Sequence, residues 1–281
     1  MSAVALGLLA ALMWGFHDVC VRFVSQKTPL MAMLMTVSLA GLAFHLGVMV
    51  VQDGFTPLPR PVLGLSALAG VFFLMASLGL YAAFQRGPVR LVAPIIASYP
   101  ILSVAWAVIN GVPVSLWQWA AVVAIVLGVS IVAALSDEGE QAGAAKLPTI
   151  GFALLSAVGF ACTFAMGQAA AAQSGELPTA LVTRLVLIGL LFLGMLALRL
   201  PFWPGRKALP ILLLMGVADG IALLCVVSAG HLPDAQFASV TSATFGMLTI
   251  FLAWVFLKEK MTPLQWLGVF VAFVGIGYLA L

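Results

Sequence analysis

The chain has 281 residues, of which 64% are hydrophobic and 7% charged, with a mean hydropathy of +1.21. Soluble domains carry about 25% charged residues, so the composition excludes a soluble globular fold and predicts an all-α integral membrane protein. The net charge of +3 comes from 12 basic and 9 acidic residues scattered along the chain, which leaves no face for nucleic acid.

A membrane-spanning helix takes about 20 apolar residues. Reading apolar runs between helix breakers predicts ten spans, at 3–24, 30–51, 62–85, 90–110, 116–136, 149–170, 178–198, 208–230, 235–257 and 263–281. The breakers are Lys27-Thr28-Pro29, the Pro57, Pro59 and Pro61 cluster, Arg86-Gly87-Pro88, Gly111-Val112-Pro113, and Pro201 with Pro204-Gly205. The first run lacks the basic residues that open a signal sequence and is expected to stay as a helix. The polar stretch 137–148, beginning Asp137-Glu138-Gly139-Glu140, reads as a linker between two halves, 1–136 and 149–281.

Lys and Arg in short loops set orientation. Ten of the 12 basic residues fall in connections 1–2, 3–4, 5–6, 7–8 and 9–10, only Arg60 falls opposite, and Arg184 lies inside a span. This predicts a cell inner-membrane protein with the charge-rich side cytoplasmic and both termini outside.

The halves repeat. Gly7-Leu8 through Trp14-Gly15-Phe16 aligns with Gly151-Phe152 through Val158-Gly159-Phe160. Pro29 matches Pro178, Gln118-Trp119 matches Gln265-Trp266, and Gly128 matches Gly275, at an offset of about 144 to 149 residues. A unit of five helices is odd, so the second copy is expected upside down. Inverted repeats of this kind put a binding site near the bilayer midplane, with access alternating around it.

With Trp14-Gly15, Tyr99-Pro100, Arg184 and Leu257-Lys258-Glu259-Lys260 ahead of Leu264-Gln265-Trp266-Leu267-Gly268, the chain resembles the EamA branch of the drug/metabolite transporter superfamily. Within it the pattern is most similar to aromatic amino-acid exporters of the YddG type. The resemblance implies ten helices as two inverted five-helix repeats, and export of amino acids or related small metabolites. The turn Asn110-Gly111-Val112-Pro113 departs from the pattern by lacking an acidic residue, and Met35 or Thr36 stands where Arg184 would have its counterpart.

Ionisable groups at bilayer depth cost about 2.5–3.5 kcal/mol on insertion scales and so face partners or a wet cavity. Those here are His17, Asp18, Arg22, His45, Arg184 and Asp219. Asp18 and Arg22 stand four apart, acid first, the favourable order for a helical ion pair. Trp14, four before Asp18, shares that face and could present an aromatic wall to a cationic or zwitterionic solute. Arg184 and Asp219 could neutralise one another, or Arg184 could meet Asp18 or a substrate carboxylate. His17 could carry a coupling proton. Tyr81, Ser98-Tyr99-Pro100, Thr163 and the run Thr241-Ser242-Ala243-Thr244-Phe245 complete the candidate substrate-binding set. Hydroxyls at such depth also serve helix packing. Trp106, Trp119, Trp254 and Trp266 read as interfacial anchors, and spans 5 and 10 as supports away from the pathway.

Cys20, Cys162 and Cys225 lack metal or disulfide spacing, so no metal or cofactor is expected. There is no Walker A motif, which excludes a cis ATP-driven pump, and Gly216-Val217-Ala218-Asp219 alone does not make an intramembrane protease. Proton-coupled efflux of lipophilic or quaternary-ammonium cations, and uptake in place of export, are the alternatives to amino-acid export.

Overall fold

The structure is a computed structural model that describes residues 2–51, 58–109, 113–135, 146–232 and 236–279, with the side chains of 103, 104, 106, 107, 109, 133, 236, 237, 240 and 279 excepted. Most of the 137–148 linker, the Asn110-Gly111-Val112 turn, Pro57 and the Trp106 side chain lie outside the described residues.

The described residues form helices α1 Ala3–Val24, α2 Leu30–Val51, α3 Arg60–Arg86, α4 Val89–Ala97, α5 Pro100–Ile109, α6 Leu116–Ala134 and α7 Lys146–Ser174. They continue as α8 Glu176–Ala197, α9 Leu209–Ser228, α10 Gln236–Ser242, α11 Phe245–Leu252 and α12 Pro263–Leu279. Six stretches (α1, α2, α3, α7, α8 and α9 with its continuation to His231) are long and apolar enough to cross a membrane. Val89–Leu102, Leu116–Val132, Phe245–Leu257 and Pro263–Tyr278 are shorter apolar stretches. In a bilayer every backbone group must find a partner within the protein, which is why apolar runs of this length become helices.

Local chemistry sets the ends. Ser2 caps α1 by accepting from the Ala5 amide at 3.2 Å. α6 and α12 open on the same reciprocal cap. Gln118 Oε1 accepts from the Ser115 amide at 2.8 Å while Ser115 Oγ accepts from the Gln118 amide at 3.2 Å. Gln265 Oε1 likewise accepts from the Thr262 amide at 2.9 Å, and Thr262 Oγ1 from the Gln265 amide at 3.2 Å. The matched Gln-Trp pairs of the two halves are therefore helix starts.

The two runs expected as single helices over 90–110 and 235–257 are broken. At Ser98-Tyr99 the amides fold back to Ile95 and Ile96 in tight i→i+3 turns, because Pro100 cannot donate to the helix before it. At Ala243-Thr244 the Thr244 amide reaches Thr241 and Gly246 reaches Ala243 in the same way. The broken helices meet each other. A Cβ on Gly246 would lie 2.9 Å from the Ala97 Cβ, and the Tyr99 hydroxyl bonds Ser242 Oγ at 2.7 Å and the Ser239 carbonyl. After α11 the chain makes a π-helical turn over Ala253–Leu257, ending at Lys258 with φ +57°.

Packing pairs come in matched sets. α1 lies on α9 as α7 lies on α3; α2 lies on α9 as α8 lies on α3; α1 touches α10 as α7 touches α4. α2 meets α8, and α6 meets α12, at contacts between counterparts. Each of these contacts joins residues before 136 to residues after 145 or their mirror, so one interlocked core runs through both halves. Glycines let the backbones approach: a Cβ on Gly128 would lie 2.4 Å from the Gly268 carbonyl oxygen, and one on Gly159 2.6 Å from the Ala76 amide nitrogen.

Candidate substrate site

At the centre, α1, α2, α3, α8 and α9 bring polar side chains into an apolar bundle. Arg184 on α8 is fully buried and donates from Nη1 to Asp219 Oδ2 on α9 at 2.6 Å. Trp14 Nε1 on α1 donates to the other oxygen, Oδ1, at 3.0 Å. Asp219 thus takes one charged and one neutral donor, the arrangement a carboxylate needs away from water. The guanidinium is sandwiched: the Phe73 ring lies 5.2 Å from its Cζ, and on the opposite helix a Cβ at Gly41 would come 2.8 Å from its Cζ and Nη1.

Beside this lies a second chain of bonds. His17 Nδ1 is 2.9 Å from Asp18 Oδ1, and Nε2 is 3.1 Å from the Tyr81 hydroxyl. With the carboxylate accepting, Nδ1 holds a proton; Nε2 then accepts from Tyr81 when the ring is neutral and donates to it when the ring is protonated. His45, also buried, bonds the Gly220 carbonyl through Nε2 at 2.9 Å.

Three buried polar atoms of this site have no hydrogen-bond partner among the described residues: Asp18 Oδ2, Arg184 Nε and Arg184 Nη2. An unmet buried polar group costs about 1–3 kcal/mol, more when charged. Such groups are kept where a solute or water meets them.

Arg184, Asp219, Trp14, His17, Tyr81 and Phe73 line an enclosed cavity with about 20 Å3 in which the centre of a water molecule can move, room for one water. A neighbouring cavity of about 10 Å3 is lined by Asp18, Trp14, Tyr99, Phe160, Phe164 and Phe245. The aromatic rings form one stack: Trp14 lies 5.4 Å from Phe164, 6.0 Å from Phe160 and edge-on 6.4 Å from Phe245. Tyr99 stands edge-on to Phe164 at 5.4 Å. Cavities of this size hold water and no larger solute.

Of the sequence candidates, Trp14, His17, Asp18, Tyr81, Tyr99, Arg184, Asp219 and Phe245 line one or other cavity. The remaining hydroxyls do not. Ser98 Oγ donates to the Ile95 carbonyl at 2.7 Å, Thr163 Oγ1 to Gly159 at 2.7 Å and Thr244 Oγ1 to Thr241 at 2.7 Å, each to a carbonyl three or four residues earlier in the chain. Thr241 sits where α10 crosses α1 at Gly7. The i,i+4 pair of Asp18 with Arg22 is not made: Arg22 Nη1 donates to the Phe84 and Gln85 carbonyls at 2.9 and 3.1 Å. The C-terminus of α3 offers a cation free carbonyls and a negative dipole end, while Asp18 turns inward with Trp14. Ser38, Ser77, Phe73, Phe160 and Phe164 line the cavities without having been singled out as lining residues. In an apolar helix a Phe facing a cavity reads the same as one facing a neighbour.

The packing around Arg184 gives a first prediction. Gly41→Ala drives a methyl into the guanidinium and within 3.0 Å of the Gly216 carbonyl oxygen. It is expected to cost about 1–3 kcal/mol of stability. Gly47→Ala, on the same helix with nothing within 4 Å, leaves stability unchanged. Thermal melts of the two variants in detergent check this.

A model of the EamA-like transporter family matches residues 1–134 and 147–281. No curated protein matches the chain. Among 29 matching chains of solved structures, a crystal structure described only as that of a protein superposes with a TM-score of 0.74 at 17% identity. That match covers 99% of this chain and 96% of the other, and it shows the fold.

Proposed function

From the premise that the chain belongs to the EamA-like transporter family, and so is a multi-pass membrane transporter of small molecules, we propose that it exports amino acids, aromatic and other apolar ones first. The observation that carries this reading is the set of unpartnered polar atoms on two buried ionisable side chains, Arg184 and Asp18. The free Nε and Nη2 of Arg184 form the side of a guanidinium that grips a carboxylate at two points. The free Oδ2 of Asp18 suits an ammonium group. Trp14 and Phe160 line the cavities beside both groups, with Phe73 on the Arg184 side and Phe164 and Phe245 on the Asp18 side, walls that suit an apolar or aromatic side chain.

The mechanism in this reading is alternating access between two inverted five-helix repeats, 1–136 and 149–281, ten spans in all. Support comes from the family match falling in two stretches, the paired breaks at 98–99 and 243–244, the paired caps of α6 and α12, and the matched sets of helix contacts. Broken helices beside a central cavity are how transporters expose backbone groups to a solute. The bias of Lys and Arg in the loops supports an inner-membrane protein with both termini outside. The His17 chain would accept a proton if export is coupled to one.

A second reading has its own observation. Asp18 with Trp14, Tyr99, Phe164 and Phe245 makes a carboxylate in an aromatic box, which suits a quaternary ammonium. Asp18→Asn separates the two: in proteoliposomes it abolishes choline flux if cations are the cargo, but only weakens phenylalanine flux if a zwitterion held at Arg184 is. Loss of choline flux with phenylalanine never moved would replace the first reading by the second.

A further inference from the structure

At one end of the bundle the turn after α11 leaves a groove of about 400 Å3 bounded by Trp254, Val255, Lys258, Glu259 and Lys260. This end is basic in three dimensions as well as in sequence. Arg22 bonds the end of α3, and Arg90 Nη1 donates to the Lys260 carbonyl at 2.8 Å, so Arg22, Arg90, Lys258 and Lys260 gather there. The one carboxylate in the groove wall is turned away from the lysines. Glu259 Oε1 accepts from the Val89 amide at 2.9 Å and Oε2 from the Arg90 amide at 3.2 Å, capping α4. Among the described residues neither lysine ammonium is ion-paired. Arg90 Nε, next to them, is buried without a partner.

The floor of the groove is aromatic: Trp254 is 47% exposed and packs against Phe251 at 6.1 Å and Trp266 at 6.0 Å. The π-helical turn and the left-handed Lys258 hold both lysines at the lip of this aromatic floor. An aromatic floor below two unpaired ammonium groups matches the two parts of one kind of molecule.

We propose that this groove is a binding site for an anionic phospholipid, whose phosphodiester lies between Lys258 and Lys260 while its acyl chain runs over Trp254. Basic pockets between membrane helices hold anionic headgroups by this chemistry, and the fixed charges select the headgroup while the rings only hold the chain. Glu259 enables the site indirectly: were its carboxylate not used by α4, it would neutralise the lysines.

The test uses the full protein in nanodiscs containing phosphatidylglycerol or phosphatidylcholine brominated on the acyl chains, which quench a tryptophan they touch. The signal of Trp254 is the difference between the wild type and Trp254→Phe. Brominated phosphatidylglycerol, diluted among unbrominated phosphatidylcholine, is expected to quench that signal at roughly thirty-fold lower mole fraction than brominated phosphatidylcholine, about five-fold for each lysine. Lys258→Gln/Lys260→Gln removes the preference and Lys258→Arg/Lys260→Arg keeps it. Equal quenching by both lipids in the wild type overturns the proposal, as does a preference that survives the glutamine pair.

Discussion

Asp219→Ala is expected to lose about 3–5 kcal/mol of stability, the cost of stranding the Arg184 guanidinium in the bundle without its counter-charge. The protein should melt far below the wild type in detergent, or aggregate on extraction. The reason is geometric as much as electrostatic. Arg184 is boxed in by Phe73 and the backbone at Gly41, so it cannot swing to water when its 2.6 Å partner is removed. Replacing both members, Arg184→Leu/Asp219→Leu, should recover much of the loss, since an apolar pair of similar volume often packs as well as a buried ion pair. Recovery stays partial, because the Trp14 N–H then lacks its acceptor. The double variant is expected to fold and to transport nothing, which separates the structural from the functional use of the pair. A stable Asp219→Ala would show that Arg184 is not held there as a paired charge.

Trp14 carries the second large effect. Its ring contacts Phe160, Phe164 and Phe245, and its N–H holds Asp219 in place. Trp14→Ala is expected to cost about 3–5 kcal/mol, from lost burial and the cavity left behind. Trp14→Phe keeps the ring contacts and removes only the donor, a bond to a charged group of about 1.5–3 kcal/mol. That variant should fold, and its flux should fall about ten-fold or more as Asp219 loses one of its two supports. Melting curves and initial rates from the same preparations distinguish the two variants. Equal losses of flux and stability in both would mean that the N–H contributes nothing beyond the ring.

The long apolar helices were legible because the bilayer imposes a length and a hydropathy that leave little choice of structure. The breaks at Ser98-Tyr99 and Ala243-Thr244 were not, since an i→i+3 turn changes no hydropathy and only Pro100 hints at it. The joining of Arg184 to Asp219 was one of two pairings the sequence allowed. The structure makes the Arg184–Asp219 pair and seats Asp18 against His17 instead. The Asp18–Arg22 spacing misled for a different reason: helical geometry permits the pair, but the open carbonyls at the end of α3 compete for the guanidinium. Ser98, Thr163 and Thr244 show the ambiguity of membrane hydroxyls, which bond carbonyls three or four residues earlier in the chain and so look the same in sequence as ligands. Glu259 reaching about 170 residues back to cap α4 left no local trace at all.

The central claim is that the cavity around Arg184, Asp18 and the aromatic stack carries a zwitterion. Counterflow tests it most directly: proteoliposomes preloaded with unlabelled amino acids are offered labelled phenylalanine, threonine and choline, with and without a pH gradient. The account predicts saturable entry of phenylalanine without a gradient, and little choline movement under either condition. Choline entry that requires the gradient, with phenylalanine excluded, would contradict it.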